Sequence, residues 1–221
     1  MYGRLLLTLV LGVPLWGADL QGSVKILDRD GKPRASLKDC VAILEPAATS
    51  GPKRAPLKPL SIRTYGKQFV PRIAIVTPGT EVNFPNLDPI LHNVFSVTPG
   101  NRFDTGHYLP GDSPRVRLQN PGLVKLYCNV HHQMNAFVWV VESPYAQLLD
   151  GKSGLLFTGV TPGSYRLRLW HPECGDKVWS VILGEGTTRG DWTLSATLPA
   201  VEPHKNKFGK DYPPPRDEGG Y

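Results

Sequence analysis

Apolar and polar residues alternate with a period of two along most of the chain. This pattern is typical of strands that bury one face, because successive side chains of a strand point to opposite sides of the sheet. Clusters of Gly, Pro, Asn and Asp separate the alternating stretches, and no window of helical length keeps an apolar stripe with a period of about 3.6 residues. The apolar members of the alternating stretches are Val24 and Ile26, Ile73 and Ile75, Val82 and Phe84, Val116 and Leu118, Val124 and Leu126, Phe137 and Trp139, and Tyr165, Leu167 and Leu169. The chain is therefore predicted to be all-β, with its strands arranged in antiparallel β-sandwiches.

The N-terminus has the pattern of a secretory signal peptide. Arg4 provides a positive start, residues 5–15 are mostly apolar, and Ala18 precedes a polar residue. We predict a signal peptide over residues 1–18, cleaved after Ala18, and hence a periplasmic or secreted protein in an oxidising compartment. The alternative is a buried N-terminal strand or helix. No later run approaches the about 20 apolar residues of a transmembrane helix, so no transmembrane segment is expected after cleavage.

Two stretches rich in proline and polar residues divide the chain. Residues 46–60 contain four prolines and little that could pack, which indicates a domain boundary. The segment before this linker contains only two strands, which cannot bury their own face. We therefore predict one sandwich split between residues 19–57 and 144–199, with a second domain inserted at residues 58–143. The tail, residues 200–221, is predicted to be disordered because it combines Pro213-Pro-Pro215 with mixed charges.

Composition and charge narrow the classes of function. The 221 residues are 40% hydrophobic, which suffices for a substantial core. Lys plus Arg number 25 against 19 Asp plus Glu, for a net charge of +6. The basic residues Lys53, Arg54 and Lys58 are scattered in the linker without aromatic partners, which argues against nucleic-acid binding. The charge indicates at most an acidic redox partner protein or a membrane surface.

The chain has three cysteines, and an exported chain cannot pair all three internally. Cys40 and Cys174 have no Cys or His within two residues that would make a local metal pair, whereas Cys128 is followed by two histidines and a methionine. We expect a disulfide between Cys40 and Cys174, with Cys128 kept for chemistry. The alternative is that Cys40 and Cys174 are two unrelated buried thiols.

The strongest chemical signal is Cys128-x-x-His131-x-x-Met134, on a short loop between two predicted strands. Thiolate, imidazole and thioether together favour copper, because zinc sites use Cys, His and carboxylates but not Met. His92, at the start of another predicted strand, could supply a second imidazole. Two His and one Cys with an axial Met form the ligand set of a blue-copper electron-transfer site. His132, which directly follows His131, is an alternative ligand.

These segments resemble the cupredoxin family, and the short ligand loop is similar to that of amicyanin. The residues that carry the resemblance are Phe69-Val-Pro71, Pro78-Gly-Thr-Glu-Val-Asn-Phe84, His92-Asn-Val94 and the Cys128 loop. The flanking segments resemble a carboxypeptidase regulatory-like or transthyretin-like (prealbumin-like) sandwich, through Asp28-x-x-Gly31 and Pro162-Gly-x-Tyr165. The combination resembles bacterial methylamine utilization proteins. It implies a Greek-key cupredoxin sandwich inserted in a second sandwich.

The resemblance also implies the roles of single residues. It makes His92, Cys128, His131 and Met134 the ligands of one type 1 copper, with Asn93 tying the two ligand loops together near the sulfur. His131 would be the exposed edge for electron transfer, surrounded by a contact patch of Asn129, Val130 and His132. The chain departs from better-known members at Leu91 and Val130, where proline often precedes the two ligating histidines.

The expected function is an exported one-electron carrier and not an enzyme. Six His without a His-x-His pair cannot assemble the additional centres of a multicopper oxidase. The alternatives are a periplasmic copper-binding or carrier protein, or a structural binding module with a degenerate cupredoxin domain. The oligomeric state does not follow from the sequence.

Overall fold

The regular structure consists of β-strands. The computed structural model describes residues 17–48, 55, 58–149, 154–200 and 203–212, and within these ranges every regular element is a strand. The all-β prediction is confirmed. The described residues contain no helix long and apolar enough to cross a membrane. Residues 1–16, which carry most of the predicted signal peptide, lie outside the described residues.

The strands occur in the following order along the chain. They are β1 (Ala18–Leu27), β2 (Cys40–Pro46), β3 (Leu60–Ser61), β4 (Arg63–Thr64), β5 (Phe69–Val70), β6 (Ile73–Val76), β7 (Thr80–Asn83), β8 (His92–Ser96), β9 (Phe103–Tyr108), β10 (Arg115–Leu118), β11 (Gly122–Tyr127), β12 (Asn135–Val140), β13 (Ala146–Leu149), β14 (Leu155–Val160), β15 (Gly163–His171), β16 (Gly175–Leu183) and β17 (Gly186–Ser195).

Strands from residues 18–46 and 146–195 form one sandwich, called here the outer sandwich. Its sheets have the strand orders β14-β1-β17 and β13-β2-β15-β16. β1 runs parallel to β17 along its whole length, from Ala18 opposite Gly186 to Leu27 opposite Ser195. Side chains from both sheets share one core, for example Leu20 and Leu194 from the first and Ala42 and Leu167 from the second. The strands before the linker are thus completed by strands from the last third of the chain.

The middle of the chain forms a second sandwich, called here the inner sandwich. A five-stranded sheet, β6-β12-β11-β8-β9, packs against the three-stranded sheet β10-β7-β3, and β4 and β5 form a short ribbon. Val94 and Val124 from the larger sheet share a core with Val82 and Leu118 from the smaller one. The domain boundaries at residues 57 and 143 stay predictions, because residues 49–54 and 56–57 lie outside the described residues.

The two sandwiches pack against each other through strands that are buried on both faces. In β2, Cys40, Ala42 and Leu44 belong to the outer core, whereas Val41 and Ile43 belong to a separate interface cluster. β12 is divided in the same way, since Ala136 and Val138 are in the inner core and Phe137 and Trp139 are in the interface. The sequence of a strand that is covered on both faces is a continuous apolar run instead of an alternation of apolar and polar residues.

The expected disulfide is absent from the structure. Cys40, Cys128 and Cys174 are all free thiols, and Cys40 and Cys174 both lie in the outer core. The Sγ atom of Cys174 lies 3.8 Å from Nδ1 of His171. Burial raises the pKa of Cys40 to about 12 and that of Cys174 to about 11, so both are neutral thiols that pack as small apolar side chains. The arrangement matches the alternative from the sequence, in which Cys40 and Cys174 are two buried thiols.

The C-terminal tail also differs from the disorder expected from its composition. Residues 203–212 lie against the inner sandwich beside the loop that carries Cys128, and residues 213–221 lie outside the described residues. The segment has too few apolar residues to form a core of its own. It is held by polar and aromatic contacts to the inner sandwich, which composition alone does not reveal.

Candidate metal centre

Two neighbouring antiparallel strands bring the predicted ligands to one edge of the inner sandwich. β8 begins at His92, and Cys128 directly follows the end of β11. These strands pair antiparallel, with Tyr127 opposite Phe95, so the start of one lies beside the end of the other. The loop from Cys128 to Met134 then returns the chain to β12. It is closed by hydrogen bonds from the Cys128 amide to the Met134 carbonyl at 3.3 Å and from the Met134 amide to the His131 carbonyl at 2.9 Å.

His92, Cys128 and His131 form one cluster of potential ligands. Nδ1 of His92 lies 3.9 Å from Sγ of Cys128, and Nδ1 of His131 lies 3.8 Å from the same sulfur. Their ligand atoms all lie within 4.8 Å of one another. Metal bonds of about 2.1 Å to nitrogen and about 2.3 Å to sulfur, at a trigonal angle of about 120°, would separate the two atoms by about 3.8 Å. The side chains are therefore spaced as if around a single ion.

Asp88 fixes the orientation of the His92 ring, and sequence reasoning missed this residue. Its Oδ2 atom lies 2.8 Å from Nε2 of His92, and the two side chains are 7% and 0% exposed. Hydrogen on Nε2 leaves the lone pair of Nδ1 free to face Cys128. Asp88 is itself held by the backbone amides of Gly66 and Lys67, at 2.6 and 3.1 Å. Burial lowers the pKa of His92, which keeps the ring neutral as a ligand must be.

Asp88→Asn is expected to weaken copper binding about 10- to 100-fold, the usual cost of losing the hydrogen-bond partner of a ligating histidine. Asp88 accepts the His92 ring and the backbone amides of Gly66 and Lys67 with its two oxygens, whereas Asn has one oxygen and no charge, so it cannot satisfy all three donors and holds the ring hydrogen on Nε2 less firmly. Competition titration against a chelator measures the change. Asp112→Asn is a matched control, because Asp112 accepts the Leu109 amide in a nearby exposed turn. Equal affinities of the Asp88→Asn variant and the unmodified protein would contradict this role.

The sulfur of Cys128 is buried and faces backbone amides of its own loop. The amide nitrogens of Val130 and His131 lie 3.4 and 3.5 Å from Sγ. Burial raises the pKa of the Cys128 thiol, and these amides act in the opposite direction. The thiol is therefore protonated in the metal-free protein at neutral pH, so metal binding must release its proton. The amides then stabilise the thiolate.

The structure places the other predicted site residues as follows. Met134 is 2% exposed and ends the ligand loop. Asn93 is fully buried and joins the two ligand segments: its Oδ1 accepts the Asn129 amide at 3.3 Å, and its Nδ2 donates to Asp104 Oδ1 at 2.6 Å. His132 is exposed and is not part of the cluster found among the described residues. The ligand roles of Met134 and of the other three residues stay predictions.

Comparison with known proteins gives partial structural similarities. No protein-family model and no curated protein matches the sequence. A copper-containing nitrite reductase from Thermus scotoductus has 24% identity and a TM-score of 0.37, over 45% of this chain and 26% of that chain. A purple cupredoxin from Nitrosopumilus maritimus has 22% identity and a TM-score of 0.33, over 37% of this chain and 99% of that chain. A reduced Cu(I) form of an amicyanin variant has 15% identity and a TM-score of 0.36, over 45% of this chain and 98% of that chain.

These similarities are limited in extent. The chain spans about a quarter of the length of the nitrite reductase. Each of the three similarities covers less than half of this chain. The chemistry of the site is therefore inferred from the geometry of its own residues.

Proposed function

We propose that the protein is an exported type 1 copper protein that carries one electron at a time. The observation that supports this most directly is the pair of imidazole nitrogens, each within 4 Å of the buried sulfur of Cys128. A trigonal set of two His and one Cys is the arrangement of a blue-copper electron-transfer site. In this proposal His92, Cys128 and His131 hold one copper ion, and Met134 is its axial ligand.

The donor set favours copper over zinc. Thiolate and thioether sulfur select soft ions such as Cu(I), whereas zinc sites combine Cys and His with carboxylates. The carboxylate of Asp88, which contacts His92, is already engaged with that ring and with two backbone amides. Copper would supply a one-electron change between two stable oxidation states.

The surroundings of the ligands favour fast electron transfer, because they hold the side chains in place before any metal is present. His92 is fully buried and oriented by Asp88, and Asn93 ties the β8 strand to the Cys128 loop. The hydrogen bonds that close the loop keep Cys128 and His131 at a fixed separation. A site held in this way needs little rearrangement when the charge of the ion changes.

His131 is the proposed point of electron entry and exit. It is half-buried, whereas His92 is fully buried. The residues that precede the two histidines, Leu91 and Val130, are 41% and 38% exposed and provide an apolar rim at this end of the sandwich. We propose that a redox partner protein docks here, and the net charge of +6 favours an acidic partner.

The proposal places the protein in the periplasm or outside the cell, on the strength of the predicted signal peptide over residues 1–18. It acts there as a carrier and not as an enzyme. The alternative from the sequence is a copper-delivery protein, which requires a site with the opposite property. Delivery requires that copper be released on a change of oxidation state or on contact with a recipient, whereas electron transport requires that copper stay bound in both states.

Protein film voltammetry of the copper-loaded full chain tests the proposal. We expect a reversible one-electron wave that persists over repeated cycles, with copper and protein in equal amounts before and after. Inclusion of a Cu(I) chelator in the solution separates the two functions. Loss of the wave within a few cycles, with copper recovered on the chelator, would contradict an electron carrier and favour copper delivery.

A further inference from the structure

Residues 204–212, within the last described segment of the chain, form a small closed turn, called here the C-terminal clasp. Oδ1 of Asn206 accepts the amides of Phe208 and Lys210, at 2.9 and 3.1 Å, and the Asn206 amide donates to the Lys210 carbonyl at 2.8 Å. Gly209, with φ of 75°, occupies the left-handed position that such a turn needs. The clasp is thus ordered by its own hydrogen bonds as well as by contacts to the inner sandwich.

The two ends of the clasp meet at the Cys128 loop. The hydroxyl of Tyr212 donates to the backbone carbonyl of Cys128 at 3.0 Å and lies 3.2 Å from Nε2 of His204. The His204 ring stacks on Tyr127, the residue before Cys128, with centroids 3.8 Å apart and planes 17° apart. Both ends of the clasp therefore contact the point where β11 ends and the ligand loop begins.

The middle of the clasp reaches the same loop and the neighbouring ligand strand. The Lys207 amide donates to Oδ1 of Asn129 at 3.1 Å, and Nζ of Lys207 lies 2.6 Å from Oδ2 of Asp104. The other oxygen of Asp104 accepts Nδ2 of Asn93, which follows His92. Asn93 in turn accepts the Asn129 amide. Lys207 therefore closes a ring of polar contacts that joins the strand of His92 to the loop of Cys128.

We propose that the C-terminal clasp positions the Cys128 loop, with Tyr212 and Lys207 as its positioning residues. The pairing of β11 with β12 ends at Tyr127 opposite Asn135, and beyond that point the clasp adds contacts to the hydrogen bonds that the loop makes within itself. Tyr212 acts on Cys128 by donating to its backbone carbonyl. Lys207 acts through its backbone amide on Oδ1 of Asn129 and through its ammonium on Asp104, which in turn holds Asn93. This inference rests on the proposed function, because the loop that the clasp positions carries the proposed copper ligands.

The clasp also borders the surface proposed for a partner. It contacts Asn129 and places Tyr212 beside His132, with ring centroids 5.9 Å apart. The contact patch implied by the resemblance consists of Asn129, Val130 and His132, so two of its three residues face the clasp. Val130 and His132 remain exposed and His131 is half-buried, so the clasp leaves these three residues within reach of a partner.

Hydrogen exchange of the metal-free full chain, followed by mass spectrometry, tests the clasp without copper. Tyr212→Phe removes the hydroxyl that binds the Cys128 carbonyl, and Lys207→Ala removes the ammonium that binds Asp104 while it keeps the backbone amide that binds Asn129. Each variant loses one hydrogen bond, so we expect exchange in the peptide spanning residues 128–134 to rise about two- to tenfold. Protection in β12 should be unchanged, which shows that the fold is intact. The matched controls are Tyr65→Phe, at a tyrosine 63% exposed, and Lys32→Ala, at an exposed lysine of the outer sandwich.

The copper-loaded proteins provide the second measurement. Positioning predicts that Tyr212→Phe and Lys207→Ala shift the energy of the visible absorption band and the reduction potential, whereas the two controls do not. Unchanged exchange in residues 128–134 would overturn the proposal, and so would faster exchange with an unshifted band and potential. Where the unmodified protein takes up no Cu(II), the proposed function fails, and the exchange measurement alone decides whether the clasp orders the loop.

Discussion

Replacing Cys128 with alanine will abolish the intense visible absorption of the copper-loaded protein and lower its affinity for Cu(II) by more than about 100-fold. The absorption requires a thiolate bound to copper, and Cys128 supplies the single sulfur of the His92–Cys128–His131 cluster. Without it, two imidazole nitrogens remain as the close ligands. The amides of Val130 and His131 also lose the sulfur that they face. Absorption spectroscopy during a Cu(II) titration, with metal analysis of the desalted protein, measures both effects.

Two matched controls separate the ligand role from general damage to the fold. Cys40→Ala removes an equally buried thiol from the outer core and should keep the full absorption. His132→Ala removes the imidazole next to His131 and should also keep it, because His132 is exposed and outside the cluster. If His132→Ala proves more damaging than Cys128→Ala, the assignment of the ligands along the loop is wrong.

Trp170→Ala is expected to lower the free energy of unfolding by about 3–5 kcal/mol, the usual cost of removing a large buried aromatic side chain. Trp170 lies between the sandwiches at 4% exposure, with its ring centroid 5.1 Å from that of Phe137 and 6.0 Å from that of Trp139. Because the ring fills the interface, its loss should also uncouple the two sandwiches. Urea denaturation should then show two transitions in place of one.

The control for this prediction lies on the neighbouring strand β16. Ile182 is 78% exposed, so Ile182→Ala should change the free energy of unfolding by less than about 0.5 kcal/mol. Cys128 and Met134 belong to the inner core and Trp170 to the interface cluster, so the absorption expected of the proposed copper centre should survive Trp170→Ala. A loss below about 1 kcal/mol in Trp170→Ala would show that the interface contributes little to stability.

Much of the fold could be predicted because the strands carry a clear period of two. Val82 and Phe84, or Leu167 and Leu169, point to one side of their sheets and are buried, as the pattern requires. The continuous apolar runs of β2 and β12 have a different origin. They reflect burial on both faces, and the partner of the second face is not visible in either segment alone.

The candidate site was predictable where strand geometry determines it. His92 begins a strand and Cys128 follows another, so antiparallel pairing brings them together although 35 residues separate them in the sequence. Asp88 was missed because its approach to His92 depends on the turn between β7 and β8, which the sequence pattern does not define. Pro85, Asn86 and Pro89 around it indicate a turn but not its direction.

The predictions for the cysteines and for the tail differ from the structure for physical reasons that composition does not contain. An odd number of cysteines suggests a disulfide with one thiol left over, but the burial that keeps Cys40 and Cys174 as free thiols depends on the packing of the outer core. The composition of the polar tail predicts disorder, because the tail has too few apolar residues to form a core. It is ordered over residues 204–212 by contacts to Tyr127, Cys128 and Asp104, which lie far away in the sequence.

Titration of the metal-free full chain with Cu(II), followed by visible absorption, tests the central claim most directly. The account predicts uptake of one copper per chain with an intense charge-transfer band, and loss of that band in Cys128→Ala. A pale adduct that Cys128→Ala leaves unchanged, or no uptake at all, would contradict the claim that His92, Cys128 and His131 bind copper.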